Sequence, residues 1–553
     1  MRYPDWTERV TGLSSHRGLW PLGLEPVGFS FARQLLPGLT NVTTNIRYYS
    51  FFCWAFWTFE KHLRDQGTTE FNPADQKRWL ARLENLFRAA TLHSNPHVLG
   101  LAGVTDTARL GEGDESLAVD ATDVPSGFVP ALYSASWRNL RCGESTARGV
   151  RLSEELGRPL ARAYQETLER AASKREIEML LSSASQGPTV PAALVRKVAD
   201  AMALRPVAPD EPEHEKLREL LFRTERQSSN PEWRRLDARR SRSLALLLEF
   251  GRQGRGTIRD RFDIHRIFAS GLLPDKRRFE VPAPYQDDFL IWQRYQERQY
   301  ERIALYGFWV LVYDALHARR RTPREICRWV RADLERSPVL AEWLGTDPLR
   351  ITVGDAEEAI LARYRYREYP DLAADDLRVR ILEAKPQADR AGAALLLLLL
   401  IVVVWRERRG DLPRWARDLH KRYGRERLDL EVLLEDLEGR QTESLGDLVD
   451  RVVEVYVLSQ SLRVALEKFA RGEYRFFIAR DQDGFRIVRK EDPAGHLGYD
   501  QPRLQGAYSL LHGLGLIDLN AGYEITAAGE SLLKELQSHH AESRALADST
   551  AAA

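Results

Sequence analysis

The stretch LLPGLTNVTTNIRYYSFFCWAFWTFEKH, residues 35–62, is the most strongly patterned part of the chain. Eight of the twelve residues from Tyr48 to Phe59 are aromatic, and this interval contains no lysine or arginine. Its apolar residues recur every three or four positions, as on one face of an α-helix, and Trp54 and Trp57 occupy a second face. Because a helix that is apolar on two faces is buried between neighbours, the stretch predicts a core helix.

A platform that stacks nucleic-acid bases is the alternative interpretation of this aromatic run. Such platforms interleave aromatic with basic residues on an exposed groove, and the run lacks basic residues. We expect Arg47, just before the run, to stack on a ring or to pair with a carboxylate. Thr40 or Thr43 can cap the helix, which we expect to end near Gly67.

The composition indicates a soluble protein with several domains. The 553 residues include 29% charged and 43% hydrophobic residues. Lysine and arginine number 81 against 80 aspartates and glutamates. The total charge therefore predicts no nucleic-acid partner, and only a local patch can supply one.

The cysteines and the apolar runs predict a cytoplasmic protein without a membrane segment. Cys53, Cys142 and Cys327 are far apart in the sequence and form no CxxC pair, which argues against structural zinc. The N-terminus has no apolar signal-peptide core. The run AGAALLLLLLIVVVW, residues 391–405, is shorter than the roughly twenty residues that a spanning helix needs. We expect it to be a buried core helix.

The predicted fold class is mainly α, with helical bundles and a small α+β C-terminal domain. Segments rich in proline and acidic residues suggest a boundary near residues 205–215. A long helix is expected over 286–320, and a hairpin around the turn Gln482–Gly484. The predicted domains are an N-terminal helical domain with the aromatic helix (1–205), a central helical domain with the leucine-rich helix (206–429), and a C-terminal domain (430–553).

The segment QPRLQGAYSLLHGLGLIDLNAGYEITAAGESLLKEL, residues 501–536, resembles the end of winged-helix domains. The resemblance lies in a leucine-rich helix, the LGLI of Leu514–Ile517, a hairpin strand at Tyr523–Thr526, and a Thr-x-x-Gly turn that ends at Gly529. It implies that the helix over 502–512 enters a major groove. The implied DNA contacts are Arg503, Gln505 and Tyr508. A winged helix used for protein contacts, or as a stabilising end-cap, is the alternative.

The stretch YPDLAADDLRVRILEAKPQ, residues 369–387, suggests a second candidate site. Asp371, Glu383 and Lys385 match the PD…ExK spacing of restriction-type nucleases. In such folds the two carboxylates hold Mg²⁺ and the lysine orients the attacking water. This hypothesis requires VRIL to be a strand, but the flanking segments look helical, and Pro386 can open the leucine-rich helix.

Other motifs that would carry a reaction are missing from the sequence. There is no GxxxxGK[ST], GxSxG or GxGxxG sequence. His93 and His97 have no carboxylate at ligand spacing, and His539-His540 lies near the C-terminus. We therefore expect no cofactor, with Mg²⁺ required only by the nuclease alternative.

The stretch LGLEPVGFSFARQLLPGLTNVTTNIRYYSFFCW, residues 22–54, resembles uncharacterised bacterial proteins with an LG…LLPG…RYxxFxxW signature. Such proteins tend to be large, mostly helical, and encoded near phage-defence or DNA-modification genes. The resemblance implies a non-catalytic DNA-associated or scaffolding subunit of a multi-protein bacterial antiviral defence system. Its partners would be other defence proteins and double-stranded DNA. The alternative function is a Mg²⁺-dependent nuclease.

Overall fold

The protein is mainly helical, as the sequence predicts. The computed structural model describes residues 20–40, 44–68, 72–98, 113–119, 135–146, 149–185, 187, 189–223, 230–365, 368, 370–384, 387–408, 410, 428, 430–470, 476–489, 492–499 and 503–552. Within these ranges the strands form four separate two-stranded sheets.

The described residues form twenty α-helices and eight strands. In chain order the helices are α1 (Glu25–Leu35), α2 (Arg47–Asp65), α3 (Pro73–Ser94), α4 (Gly157–Ala171), α5 (Lys174–Ser185), α6 (Ala192–Met202), α7 (Pro212–Leu221), α8 (Pro231–Gln253), α9 (Arg261–Ser270), α10 (Gln286–His317), α11 (Pro323–Glu335), α12 (Pro338–Leu344), α13 (Val353–Arg365), α14 (Ala373–Glu383), α15 (Gln387–Arg408), α16 (Leu430–Glu438), α17 (Leu445–Arg451), α18 (Gln460–Ala470), α19 (Leu504–Gly513) and α20 (Ala527–Ala552). The strands are β1 (Ser116–Ala118), β2 (Gly143–Thr146), β3 (Gly149–Leu152), β4 (Thr189–Pro191), β5 (Ile478–Asp481), β6 (Gly484–Ile487), β7 (Ile517–Asp518) and β8 (Glu524–Ile525). All four strand pairs are antiparallel: β1 with β4, β2 with β3, β5 with β6, and β7 with β8.

Two compact units make up the chain, and each is assembled from separated stretches. Unit 1 comprises residues 1–32, 262–280 and 286–500, and unit 2 comprises residues 33–261, 281–285 and 501–553. Neither unit coincides with one of the three consecutive domains expected from the sequence. The boundary expected near residues 205–215 lies within unit 2, because α7, which begins at Pro212, packs on α4 in the same core.

The core of unit 2 contains the aromatic helix α2, which confirms the core prediction. Its residues from Arg47 to Phe56 are all buried, and α2 packs on α3 and α4. Phe51 stacks on Phe87 with ring centroids 4.2 Å apart, and Trp54 lies 5.4 Å from Tyr164. The base-stacking alternative requires exposed rings, so this burial argues against it.

The start of α2 differs from the prediction. The helix begins at Arg47, and the side chain of the preceding Ile46 makes no cap hydrogen bond. Instead, Asn45 Oδ1 accepts a hydrogen bond from the Arg47 N–H at 3.1 Å. Thr40 lies seven residues before the helix, too far for the predicted capping role, and Thr43 lies outside the described residues.

The core of unit 1 contains two long helices, α10 and α15, which pack against each other. They correspond to the helix expected over 286–320 and to the leucine-rich run. By length and composition, the segment Gln387–Glu407 could cross a membrane, but 83% of its most apolar window is buried inside the protein. The six leucines 395–400 are at most 1% exposed. This segment is therefore a core helix, as expected.

The predicted hairpin around Gln482–Gly484 is also present in unit 1. Asp481 pairs with Gly484 at the turn between β5 and β6. Before the hairpin, a π-helical segment, Val452–Ser459, separates α17 from α18.

Candidate nucleic-acid interface

The last elements of unit 2 are a helix, a short hairpin and a second helix: α19, β7–β8 and α20. The turn between β8 and α20 is closed by Thr526. Its Oγ1 donates to the Gly515 carbonyl at 2.6 Å and accepts from the Gly529 N–H at 3.1 Å. The side chain therefore caps the first turn of α20.

The arginine-rich stretch 252–261 packs against this hairpin within unit 2. Two glycines permit the close approach. A Cβ at Gly251 would lie 2.7 Å from the Tyr523 carbonyl oxygen, and one at Gly522, where φ is +79°, would lie 2.6 Å from the Ile258 carbonyl oxygen. Glu524 completes the contact, because its Oε1 accepts from the Gly256 N–H at 3.0 Å.

A side chain of the same stretch also contacts helix α19. Arg261 Nη1 donates to Gln505 Oε1 at 3.0 Å. Arg261 and Gln505 are both exposed, and so are Arg255 and Arg259. We call the four residues Arg255, Arg259, Arg261 and Gln505 the basic edge.

The charge of the basic edge is partly balanced by nearby carboxylates. Arg255 Nη2 lies 2.7 Å from Glu530 Oε1, and its side chain stays 55% exposed. Over residues 252–261 there are four arginines and one acidic residue, Asp260. The stretch is therefore locally rich in arginine, and Glu249 and Glu530 neutralise part of its charge.

The three DNA-contact residues expected from the sequence have different positions in unit 2. Gln505 is exposed, whereas Arg503 is half-buried and donates from Nη1 to the Leu36 carbonyl at 2.9 Å. Tyr508 is 2% exposed, and its ring packs edge-on against Tyr523 at 4.8 Å. Burial, and then the neighbouring Tyr523, raise the pKa of Tyr508 well above its ordinary value.

These positions change the predicted interface. Tyr508 supports the hairpin from inside and is not accessible to a groove in this conformation. Sequence reasoning did not select Arg255, Arg259 and Arg261, the three arginines of the basic edge. The excess of arginine over acidic residues before α9 was a signal for them, but nothing local indicated that this stretch meets α19.

The nuclease hypothesis requires a strand over VRIL, but the structure has a helix there. Residues 373–383 form helix α14, so the expected strand over VRIL is wrong. Glu383 is the last residue of that helix, and Asp371 Oδ1 accepts a hydrogen bond from the Tyr364 hydroxyl at 3.0 Å. Lys385 lies outside the described residues. Within the described part of the chain, no cluster of three or more His, Cys, Asp or Glu side chains could hold a metal ion.

No protein family, curated protein or solved structure that was compared with this chain matches it.

Proposed function

We propose that this chain is a non-catalytic, DNA-associated subunit that contacts double-stranded DNA through the basic edge of unit 2. The contact between Arg261 and Gln505 carries the proposal, because it joins exposed arginines to the outer face of α19. The order helix, hairpin, helix over α19–α20 supports a winged-helix interpretation of this region.

The basic edge has the two chemical functions that DNA recognition needs. Guanidinium groups bind phosphate oxygens and set the orientation of a protein on the duplex. An exposed glutamine amide can form paired hydrogen bonds with an adenine edge in the major groove. In this proposal Arg255, Arg259 and Arg261 contact phosphates, and Gln505 is released by Arg261 to contact a base.

The biological setting is a multi-protein bacterial antiviral assembly in the cytoplasm, in which the chain also acts as a scaffold for other defence proteins. The N-terminal signature supports this setting. Its residues Arg47, Tyr48, Phe51 and Trp54 are at most 1% exposed, so the signature has a structural role rather than that of an active site. A helicase, ATPase, nuclease or methyltransferase gene beside this one supports the proposal, and an isolated gene among housekeeping enzymes contradicts it.

The direct test is a binding measurement with a labelled DNA duplex. We expect the variant Arg255→Ala/Arg259→Ala/Arg261→Ala to bind at least about tenfold more weakly at moderate salt. We also expect the slope of log K against log[salt] to fall by about 0.9 for each phosphate contact that is lost. Fluorescence anisotropy at several salt concentrations measures both quantities.

The matched control is Arg78→Ala, because Arg78 is a 58% exposed arginine on α3 of the same unit. This variant should bind DNA like the wild type. An equal loss of log K per arginine in the control and in the triple variant would show a general charge effect and contradict the proposal. Absence of duplex binding by the wild-type protein at low salt would contradict it as well.

A further inference from the structure

A cavity of about 600 Å³ lies in unit 1 beside helices α12, α13 and α14, with Arg266 of α9 also in its wall. This volume is in the range that holds a small ligand rather than a macromolecule. Three arginines line it, Arg266, Arg363 and Arg380, and each belongs to a different helix. All of its lining residues belong to unit 1, and none of them is part of the basic edge.

Two of these arginines converge on one carboxylate. Arg363 Nη2 lies 2.6 Å from Glu342 Oε1, and Arg380 Nη1 lies 3.6 Å from Glu342 Oε2. All three side chains are between 41% and 48% exposed, so the carboxylate is held at the solvent-accessible rim. Two guanidinium groups around one oxyanion are the arrangement that proteins use to bind phosphates and carboxylates.

The third arginine is fixed in place by a buried acid. Arg266 Nε donates to Asp375 Oδ2 at 3.0 Å, and Arg378 Nε donates to Asp375 Oδ1 at 2.7 Å. Asp375 is 3% exposed. Burial alone would raise its pKa, but the hydrogen bonds and charges of Arg378 and Arg266 outweigh burial and lower it. The ionised acid therefore holds Arg266 rigidly while leaving it 34% exposed.

The remaining wall can contact the uncharged part of a ligand. Trp343 lies under the Arg363 guanidinium, which is 5.6 Å from the ring centroid. Leu377 adds an apolar side chain, and the exposed Asp376 adds a carboxylate that can accept hydrogen bonds from hydroxyl or amino groups. The arginines can therefore bind the anionic end of a small molecule, and the remaining wall can bind its neutral end.

We propose that this cavity binds a small phosphomonoester that also carries hydroxyl or amino groups, as a nucleoside monophosphate does. The phosphate takes the position of the Glu342 carboxylate between Arg363 and Arg380, and Arg266, which lines the same cavity, is the third guanidinium group that it can reach. A phosphate has three terminal oxygens and can satisfy three guanidinium groups, whereas one carboxylate has two oxygens. Glu342 thus competes with the ligand for the same arginines.

The test is calorimetric titration of the full-length protein with AMP, adenosine and inorganic phosphate. We expect AMP to bind, inorganic phosphate to bind more weakly, and adenosine to show no binding. Arg363→Ala and Arg380→Ala should each weaken AMP binding about tenfold or more, because each removes hydrogen bonds to a charged group. Glu342→Gln should tighten AMP binding, because it removes the competing charge.

Two controls separate this site from a general charge effect. Arg350→Ala removes an arginine of unit 1 that is 85% exposed and does not line the cavity, and it should leave AMP affinity unchanged. Glu358→Gln removes an exposed carboxylate on α13 that is also outside the cavity wall, and it should not tighten binding. Thermal denaturation of every variant verifies that it is folded.

Several results would overturn the proposal. The first is no heat of binding with either AMP or inorganic phosphate at millimolar concentration. The second is AMP affinity that is the same in the two arginine variants as in Arg350→Ala. The third is a Glu342→Gln variant that binds AMP more weakly than the wild type, because Glu342 would then hold the ligand instead of competing with it. Equal affinity for AMP and adenosine would exclude the phosphate as the recognised group.

Discussion

Helix α2 in unit 2 and helix α10 in unit 1 are both buried, but by different chemistry. The buried part of α2 is mainly aromatic and contains one charged residue, Arg47. The middle of α10, residues 294–302, is equally buried although most of it is polar. Its buried polar residues are Arg294, Gln296, Glu297, Arg298, Gln299, Glu301 and Arg302.

Two of the three buried guanidinium groups in this part of α10, those of Arg298 and Arg302, donate to backbone carbonyls. Arg298 donates to the Leu428 carbonyl at 2.9 Å and to the Leu24 carbonyl at 3.0 Å, and it also pairs with Glu301. Arg294 lies over the ring of Trp405, 4.0 Å from its centroid. Burial, opposed by the nearby glutamates, lowers the pKa of Arg294 to about 10.

The guanidinium group of Arg47 also donates to backbone carbonyls, but it lies in a core that is mainly aromatic. Its Nη atoms donate to the carbonyls of Ala203 at 2.7 Å and Ala201 at 2.6 Å, at the C-terminal end of α6. It also forms an ion pair with Glu213 at 2.7 Å, and both side chains are fully buried. A guanidinium can therefore replace the missing hydrogen bonds at a helix end, which makes a buried charge compatible with either kind of core.

The largest expected effect comes from the aromatic helix. Phe52→Ala and Phe56→Ala should each lower the free energy of unfolding by about 3–5 kcal/mol, because each leaves a cavity in a packed core. Chemical denaturation followed by circular dichroism measures the loss, and Trp233→Ala is the control because Trp233 is 41% exposed. A folded double variant of normal stability that loses only DNA binding would show that α2 is a binding platform.

The next effect concerns the buried ion pair of unit 2. Arg47→Ala should lower the free energy of unfolding by about 3–5 kcal/mol, since Glu213 would stay buried without its counter-charge. Replacing both residues, as in Arg47→Met/Glu213→Leu, should recover much of this loss. A double-mutant cycle measures the coupling, and additive losses would mean that the pair does not act as a unit.

A smaller, pH-dependent effect is expected in unit 1. Because the pKa of Asp375 is lowered by Arg378 and Arg266, its ionised form stabilises the folded state. Asp375→Asn should cost about 2 kcal/mol at pH 7, as expected for hydrogen bonds to a charged group. The stabilisation is present above the unfolded pKa of about 3.9 and is lost as pH falls through the lower folded value.

Urea denaturation at pH 7, 5 and 3 measures this linkage. The difference in stability between the wild type and Asp375→Asn should shrink at the lowest pH. Asp347→Asn is the control, because the Asp347 side chain is 75% exposed and should show no such trend. A difference that stays constant down to pH 3 would contradict the role of the ionised acid.

The smallest effect on stability is expected at the rim of the cavity. Glu342→Gln removes an exposed ion pair with Arg363, and such pairs contribute about 0–1 kcal/mol. Thermal denaturation should therefore show almost no change, in contrast to Arg47→Ala. A loss as large as that of Arg47→Ala would mean that Glu342 holds α12 and α13 together rather than occupying a ligand site.

Sequence patterns predicted the helices and the turn that depend on residues close together in the chain. The spacing of apolar residues predicted α2 and α15, and the residues Gln482–Gly484 predicted the turn of a hairpin. The same reasoning was wrong for VRIL, because a run of four residues does not distinguish a strand from one turn of a buried helix. In α14, Ile381 of this run and Leu377, four residues before it, are both buried at helical spacing.

Periodicity and turn chemistry act over a few residues, and so α2, α15 and the α19–α20 elements could be inferred from the chain alone. The burial of residues 294–302 could not, because charged residues are buried only where distant acceptors meet them. Arg47 and Glu213 are 166 positions apart, and Arg261 and Gln505 are 244 apart. These distant pairings form the buried ion pair and the basic edge of unit 2, and only the tertiary structure brings their partners together.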